Sequence, residues 1–487
     1  MTHLVIRNVV HYYALPINPA ITMKRLLLSL LALCALTVLT VQAQESFSED
    51  VDRLIDYHQG LVALENVTLF DGTGAAALTD QTVIINAGTI QEVGSSSTLN
   101  VPEGAIRVDL KGHTVTPGLV GLHNHTFYTT SQRNIQLNYS APMLYLASGV
   151  TTIRTTGSVA PYSEINLRAS IESGEAAGPD MFITGPYLRG DEAWLQGPED
   201  AARVTSYWGE EGVDWMKVYT QVTRDELSAV VEAAHANGVK VTGHLCSISH
   251  TEAVELGIDS IEHTLMTNTD YVKDKEPDKC PTGPWRAEYV SLDFDSDEVQ
   301  HTFTTMIDKG IGRTTTPAVY EMYVQGRPMA DERSLAAMSA ETREEYVKSY
   351  ERFSVSGTPV DQWEKSLAYD LAFYRAGGLL AAGVDPTGFG GALPGYGDQR
   401  NYQLLLEAGF TPAEAVQIAT LNGAKILGID AATGSIEEGK RADLVAFEGD
   451  LTSDDTTITR ARLVFKNGVG FNSGRMEEAV SGQIGVR

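Results

Sequence analysis

The stretch Gly118-Leu119-Val120-Gly121-Leu122-His123-Asn124-His125 has the pattern of a buried β-strand that ends in two histidines. Side chains alternate along a strand, so His123 and His125 face the same side. At the carboxyl end of a barrel strand that side is the mouth, where barrel enzymes place their sites. Two neutral imidazoles on one face can chelate a borderline-soft divalent metal such as zinc. The stretch therefore predicts the first strand of a barrel, with two metal ligands at its end.

Strand-like and helix-like segments alternate along the chain from residue 117 to residue 429. A strand-like run at 215–220 precedes a helix-like run at 224–237, and 240–245 precedes 249–257 in the same way. Helices between strands indicate parallel strands joined by crossovers. Because roughly 310 residues of this alternation suit one barrel with insertions, we predict an α/β fold with a (β/α)₈ TIM-like barrel.

The two ends of the chain have a different, β-rich pattern. Short strand-like runs separated by Asp-Gly and Asn-Gly turns occupy residues 60–116 and 430–480. We expect these two ends to pair into a small discontinuous β-sandwich domain beside the barrel. Within the barrel, residues 270–297 are rich in Lys, Asp, Pro and Gly and follow the sixth predicted strand. This insertion either caps the catalytic mouth or is a plain surface loop.

Four further polar residues each end an apolar or β-branched run, namely Lys217, His244, His263 and Asp385. A polar side chain at the end of such a run would normally be unfavourable inside a barrel. One of them alone could be a satisfied buried histidine or a lysine packed along its stem. Together with His123 and His125 they have no such common explanation, and they predict a metal centre at the mouth.

The order His-x-His, Lys, His, His, Asp resembles the amidohydrolase superfamily in its two-metal form. The likeness continues through residues 421–424 and 434–444, and is strongest to the exported imidazolonepropionase and Xaa-Pro dipeptidase-like branch. The resemblance implies two divalent metal ions, in particular zinc, bridged by a carboxylated Lys217. It assigns the ligands as follows: His123, His125 and Asp385 for the buried metal, and His244 and His263 for the second. A one-metal site is the alternative if Lys217 stays unmodified.

The activity that this resemblance implies is hydrolysis of an amide-type C–N bond of a small molecule by a metal-bridging hydroxide. Asp385 would accept a proton from the attacking water and deliver it to the leaving nitrogen. Alternatives within this class are a dipeptidase, for Xaa-Pro or similar substrates, and an N-acyl amino acid hydrolase. A phosphotriester or lactone hydrolase would use the same metals, and a metal-binding protein without activity is a further alternative.

Two residues are candidates for binding the substrate. Tyr219 lies two residues after Lys217, so alternation turns it inward, either towards a substrate oxygen or into the rim packing. Arg154 ends the second predicted strand and could pair with a substrate carboxylate. Relatives in the dipeptidase branch often have an Arg-Asp pair at this point, whereas this chain has Thr155, so the specificity of that branch is not carried over from this position.

Charge restricts the partners of the protein. The formal net charge of the 487-residue chain is −27, so nucleic acid and anionic membrane surfaces would be repelled. A small-molecule substrate is the expected partner, and a homo-oligomer is left open.

Residues 1–43 have the order of an upstream extension followed by a secretory signal peptide. Met23-Lys24-Arg25 precedes sixteen uncharged residues and then Ala43, near which cleavage is expected. Sixteen residues fall short of the ~20 that span a bilayer comfortably, so no stable membrane insertion is expected after cleavage. Cleavage would remove three basic and no acidic residues, which changes the net charge from −27 to −30. We expect an exported, periplasmic or extracellular protein whose translation starts at Met23.

Two cysteines remain after residue 43, Cys246 and Cys280. An even pair in an exported protein permits a disulfide, and two unrelated thiols are the alternative. Cys246 lies two residues after His244, so a bond to the insertion would fix that segment beside the metals.

Overall fold

The computed structural model describes residues 47–190, 195–388 and 391–486. Its strands, numbered in chain order, are β1 (Ile55–Tyr57), β2 (Leu61–Leu69), β3 (Leu78–Asn86), β4 (Thr89–Ser95), β5 (Ile106–Asp109), β6 (His113–Pro117), β7 (Leu119–Asn124), β8 (Phe127–Thr129), β9 (Asn134–Gln136), β10 (Val150–Thr155), β11 (Asp180–Phe182), β12 (Thr184–Arg189), β13 (Trp215–Tyr219), β14 (Lys240–His244), β15 (Ser260–Glu262), β16 (Gly312–Thr315), β17 (Leu380–Ala382), β18 (Leu444–Glu448), β19 (Ala461–Lys466) and β20 (Val469–Asn472).

The α-helices are Glu49–Asp52, Ser140–Ala147, Pro161–Glu172, Pro198–Glu210, Arg224–Ala236, His250–Glu255, Asp297–Asp308, Pro317–Glu321, Glu332–Ala337, Ala340–Ser356, Val360–Arg375, Tyr396–Glu407, Pro412–Ala419, Leu421–Leu427 and Ser473–Val480. Short 3₁₀ helices cover Leu265–Thr267, Trp285–Ser291 and Asp455–Thr459.

Both ends of the chain contribute to one nine-stranded sheet, in the order β1-β20-β19-β18-β6-β2-β3-β4 with β5 paired to β2. The antiparallel pair β6–β18 joins the two ends, with Pro117 opposite Leu444 and His113 opposite Glu448. The inner face is apolar because β-branched and aromatic residues alternate along these strands; Val62, Val83, Val115 and Phe465 are fully buried there. The predicted pairing of the two ends is therefore found, whereas their arrangement as a separate sandwich domain stays a prediction.

Nine parallel strand segments carry the alternating part of the chain, and β11 and β12 are two pieces of one broken strand. They form a three-stranded sheet, β11-β10-β7, and a six-stranded sheet, β12-β13-β14-β15-β16-β17, with β11 leading into β12 through the single residue Ile183. At the other end the backbone N–H of Val384, just after β17, donates to the carbonyl of His123 in β7 at 2.9 Å. The chain thus has the TIM-barrel-like α/β fold that the alternation predicts.

The helix Arg224–Ala236 shows why the segments between the strands are helical. Thr223 and Glu226 form a reciprocal capping box at its start. Leu227, Val230, Val231 and Ala234 follow at helical spacing, and all of them are buried. Covering one apolar face against the strands therefore sets both the position and the orientation of the helix.

The insertion at 270–297 lies against the loops at the carboxyl ends of β13 and β14. Arg224, which follows β13, makes two 3.0 Å hydrogen bonds to the carboxylate of Asp278. Lys275 donates to the carbonyl of Ser247 at 2.6 Å. The insertion therefore belongs to the mouth side of the barrel strands.

Cys246 and Cys280 are joined by a disulfide in this region, with Cα atoms 5.0 Å apart and 34 residues of sequence separation. This separation lies within the range that a disulfide can bridge without backbone movement. The bond connects the insertion to the segment directly after β14, because Cys246 lies two residues after His244.

Loss of this bond is expected to destabilise the fold. Replacing Cys280 by serine should lower the free energy of unfolding by roughly 3–4 kcal/mol, the chain-entropy effect of a loop of this length. Denaturant unfolding of the wild type and Cys280→Ser, both under non-reducing conditions, measures the difference. Two titratable thiols in unfolded wild-type protein purified from an oxidising compartment would show that the bond does not form.

No helix within 47–190, 195–388 or 391–486 has the length and apolar character needed to cross a membrane. The proposed upstream extension and signal peptide at 1–43 lie outside the described residues.

Candidate functional site

The six predicted ligands stand at the carboxyl ends of parallel strands, and the structure brings them to one mouth. They belong to β7, β13, β14 and the segments directly after β7, β15 and β17: His123, Lys217, His244, His125, His263 and Asp385. Asp385 lies at the centre, with Oδ1 3.1 Å from Nε2 of His125 and 3.5 Å from Nε2 of His123. Its Oδ2 is 3.9 Å from Nε2 of His263. The ring of His244 packs on that of His263, with centroids 4.3 Å apart.

Two of these residues have a backbone conformation that is rare for residues other than glycine. His263 has φ of 70° and Asp385 has φ of 57°. Such a residue persists only where the surrounding structure holds it, at a cost of about 1–3 kcal/mol. At both positions the strand has just ended, and the left-handed turn directs the side chain into the mouth.

The imidazoles are arranged as metal ligands. His123 Nδ1 donates to Glu262 at 2.8 Å, His125 Nδ1 donates to the carbonyl of Gly157 at 3.1 Å, and His263 Nδ1 is hydrogen-bonded to Thr316 at 2.7 Å. An imidazole that donates through Nδ1 presents a free lone pair at Nε2. The Nε2 atom of His263 is buried and has no hydrogen-bond partner among the described residues. These residues fit a divalent cation.

One set of ligand atoms is especially close. Ligand atoms of His123, His263 and Asp385 all lie within 4.8 Å of one another. The resemblance groups His123 with His125 and Asp385 instead, and it assigns His263 to a second ion. The geometry supports a cation at Asp385 in either grouping.

Burial favours the neutral, metal-binding form of three of the imidazoles, those of His123, His244 and His263. Desolvation is the largest cause that lowers the pKa of His123, His244 and His263, and it lowers the pKa of His244 to about 3. Burial also lowers the pKa of Lys217 to about 8, against the opposing effects of Glu262 and Asp385. Burial by itself would raise the pKa of Asp385, but the neighbouring His123 and His125 bring it below its usual range.

Glu262 holds several parts of the site together, although the sequence analysis did not single it out. Its carboxylate is fully buried and accepts hydrogen bonds from His123, Thr242 and Arg154. A carboxylate behind a metal-binding imidazole fixes the tautomer and the ring orientation. The only indication of this role in the sequence is that Glu262 stands directly before His263, in a run that should be apolar.

The predicted role of Arg154 in binding a substrate carboxylate is corrected by this geometry. The guanidinium is fully buried, pairs with Glu262, and donates through Nε to the carbonyl of Leu122 at 2.8 Å. It also lies over the Trp215 ring, 4.4 Å from the centroid. Arg154 therefore neutralises Glu262 below the site, and no surface of it is left for a substrate.

Tyr219 does lie at the mouth, as its alternation with Lys217 predicts. Its ring centroid is 4.8 Å from that of His244 and 5.4 Å from that of Tyr187. Tyr187 from β12 and Tyr320 from the helix after β16 extend this aromatic wall, the latter 5.5 Å from His263. Neither tyrosine was predicted from the sequence, because neither stands at a recognisable motif position.

Comparison with known proteins settles the family. The model of the amidohydrolase family matches residues 114–328 and 398–470, more than half of the chain. The chain belongs to the amidohydrolase family. The matched segments include every predicted ligand except Asp385, which lies between them.

Solved structures similar to this amidohydrolase cover most of its length. One is a provisionally assigned prolidase from Bifidobacterium longum, 25% identical with a TM-score of 0.61, over 86% of this chain and 99% of that one. Another is a Xaa-Pro dipeptidase with bound methionine in its active site, 21% identical with a TM-score of 0.62, over 85% and 100%. The second likeness is one of fold.

A curated relative matches over a short segment only. N-acetylgalactosamine-6-phosphate deacetylase of Escherichia coli O157:H7 is 49% identical over 43 residues, which are 9% of this chain and 11% of that enzyme. The chain thus matches a small part of the length of this relative. Membership of the amidohydrolase family makes the protein a hydrolase.

Removing the carboxylate of Glu262 tests its role behind His123. Glu262→Gln is expected to lower metal affinity about 10–100-fold, since the amide holds the ring less firmly. Competition with a chromophoric chelator measures the affinity. Glu321→Gln is the matched control, because Glu321 is also buried but pairs with Arg327 and Arg400 away from the ligands. Equal metal affinity in the two variants would show that Glu262 does not support the metal site.

Proposed function

We propose that this amidohydrolase is metal-dependent and hydrolyses an amide-type C–N bond of a small molecule. The observation that carries the proposal is the set of imidazole Nε2 atoms around Asp385, with each opposite Nδ1 already hydrogen-bonded. Neutral, oriented imidazoles beside an ionised carboxylate form a donor set suited to zinc.

Two ions are the arrangement that we propose, with ligands assigned by the family resemblance: His123, His125 and Asp385 for one, His244 and His263 for the other, and carboxylated Lys217 between them. Lys217 is buried, and a charged ammonium there would repel two dications. Carboxylation converts it to an anion. Without carboxylation, the close set of His123, His263 and Asp385 supports a single ion.

The bound metal would supply an acidified water and would polarise the scissile carbonyl. The residues of the chain do the rest. Asp385 takes the proton released from the attacking water and returns it to the leaving nitrogen, so that the amine departs neutral. Glu262 holds His123 in one orientation throughout, and the aromatic wall of Tyr219, Tyr187 and Tyr320 limits access of bulk water.

The substrate class that we propose is a dipeptide, of the Xaa-Pro or a similar type, or an N-acyl amino acid. The similarity to a prolidase at 25% identity over nearly the whole chain supports the first. The short match to a deacetylase supports the second. Phosphotriester or lactone hydrolysis and an inactive metal-binding protein remain the less favoured alternatives.

Export to an oxidising compartment is part of the proposal. The disulfide between Cys246 and Cys280 supports it, because such bonds persist in oxidising environments. The expected partner is a small molecule, and the proposal makes no choice between a monomer and a homo-oligomer.

The metal content is the first test. Protein reconstituted with zinc in the presence of bicarbonate is expected to hold about two ions per chain, given the six candidate ligands. Elemental analysis of desalted protein measures the ratio. A ratio near one supports the single-ion form, and absence of stoichiometric metal would end the proposal.

Turnover is the second test. The reconstituted enzyme should hydrolyse members of dipeptide and N-acyl amino acid libraries, measured by amine release, and metal-stripped enzyme should not. Activity confined to phosphotriesters or lactones would replace the proposed bond type. Equal turnover with and without metal would contradict metal dependence.

A further inference from the structure

Arg286 lies on the insertion, in the short 3₁₀ helix Trp285–Ser291, and it is anchored on one side only. Its Nε donates to the carbonyl of Met266 at 2.6 Å, and its guanidinium covers the Trp285 ring at 4.1 Å from the centroid. These contacts hold the side chain in place. They leave both Nη atoms without a hydrogen-bond partner among the described residues.

The charge of Arg286 has no partner either. No carboxylate of the described residues lies within 4.0 Å of this half-buried guanidinium, whereas Arg327 and Arg400, which are also partly buried, share Glu321. A desolvated cation without a counter-ion is costly. The chain has a net charge of −27, so it contains many acidic residues that could have served as a counter-ion for Arg286. An unpaired, fixed guanidinium is therefore suited to an anion from outside the chain.

Arg286 lines an open pocket of about 530 Å³, which is called the cavity below. Met266, Tyr320, Tyr323 and Phe353 contribute to the lining, so the walls are mostly apolar and aromatic. A planar guanidinium at one point of an apolar cavity can bind a carboxylate through paired N–H donors. The apolar walls would receive the rest of the ligand.

This cavity adjoins the candidate metal centre. Tyr320 is in its wall, and the ring of Tyr320 is 5.5 Å from that of His263. Burial raises the pKa of Tyr320, Asp385 adds to the rise, and Arg286 opposes it, so this phenol lies within electrostatic reach of both charges. A molecule bound at Arg286 would thus lie beside Tyr320, the residue whose ring contacts His263.

We propose that Arg286 binds the free α-carboxylate on the leaving side of the substrate. The inference rests on the proposed function and narrows it to substrates that release an amino acid with a free carboxylate. The side chain of that amino acid lies against Met266 and Phe353, which favours an apolar residue. The disulfide between Cys246 and Cys280 holds the insertion, and with it Arg286, at the mouth.

Paired substrates test this role. The ratio of kcat/KM for L-alanyl-L-leucine to that for L-alanyl-L-leucinamide should be high in the wild type. In Arg286→Met it is expected to fall about 30–100-fold, the scale for losing one charge-assisted contact in a partly buried site. The change should lie mainly in KM. Arg286→Lys should retain an intermediate ratio, and Lys279→Met, which removes an exposed charge from the same insertion, should leave the ratio unchanged.

A binding measurement keeps the test independent of turnover. Calorimetric titration of the metal-loaded protein with L-leucine and L-leucinamide should show tighter binding of the acid, lost in Arg286→Met and kept in Lys279→Met. Equal binding of both probes to the wild type, or an unchanged preference in Arg286→Met, would overturn the proposal. Absence of turnover for both dipeptides would count against the proposed function, and the titration would still decide the role of Arg286.

Discussion

The Lys217→Ala variant is expected to lose most of its metal and at least about 1000-fold in kcat/KM, because it removes the proposed anionic ligand shared by two cations. Lys217 is 1% exposed. Burial lowers its pKa to about 8, so the neutral amine is more populated near neutral pH than in an exposed lysine. In the proposed carboxylation, the neutral Nζ would attack the carbon of CO₂ and lose one proton, which would give a carbamate anion. Short carboxylates such as acetate should partly restore activity to the variant.

Metal analysis and steady-state kinetics on the same preparations measure this effect. Lys240→Ala is the matched control: Lys240 begins β14, contacts the ring of Trp215 and donates to the carbonyl of Ile426. It is thus also a partly buried lysine of the barrel, but it lies at the opposite ends of the strands. Normal metal content with full activity in Lys217→Ala would show that no carbamate is needed.

The ligands could be predicted from sequence because each breaks a simple rule at the same structural place. An apolar strand that ends in histidine, lysine or aspartate is unusual, and parallel strands bring such ends together. His123, Lys217 and His244 follow from this rule alone. The family resemblance added their division into two sets, which spacing along the sequence does not contain.

Glu262 and His263 depart from the alternation of side chains on which the prediction depends. Strict alternation sends neighbouring residues to opposite faces of a strand, yet both side chains take part in the site. The left-handed φ of 70° at His263 makes this possible, and a histidine gives no sign of such a conformation in sequence. Once Glu262 is inside, it attracts Arg154, and this explains why Arg154 is unavailable to a substrate.

The insertion was harder to predict because its contacts are irregular and distant in sequence. Its composition left open whether it caps the mouth, and the pairs Arg224–Asp278 and Lys275–Ser247 answer that question. Arg286 carried no signal, since a lone arginine in a polar segment usually lies in solvent. Its significance depends on the apolar cavity beside it, which only the folded chain assembles.

The Asp385→Asn variant is expected to lose at least about 100-fold in kcat, the scale of general acid–base assistance. Asparagine keeps the shape and one ligand oxygen, so metal content should change far less than turnover. His123 and His125 hold the pKa of Asp385 below its usual range against the effect of burial, so the carboxylate is in its ionised form.

Asp370→Asn provides the comparison that isolates proton transfer from the loss of a buried carboxyl group. Asp370 is more deeply buried than Asp385, burial raises its pKa to about 7, and its carboxylate accepts a hydrogen bond from Thr315 rather than from a ligand. The amide should be tolerated there, since it resembles the protonated form of this acid. We therefore expect kcat to fall only in Asp385→Asn. The metal content should stay near the wild-type value in both variants. Near-normal turnover of Asp385→Asn with its metal in place would mean that another residue moves the proton.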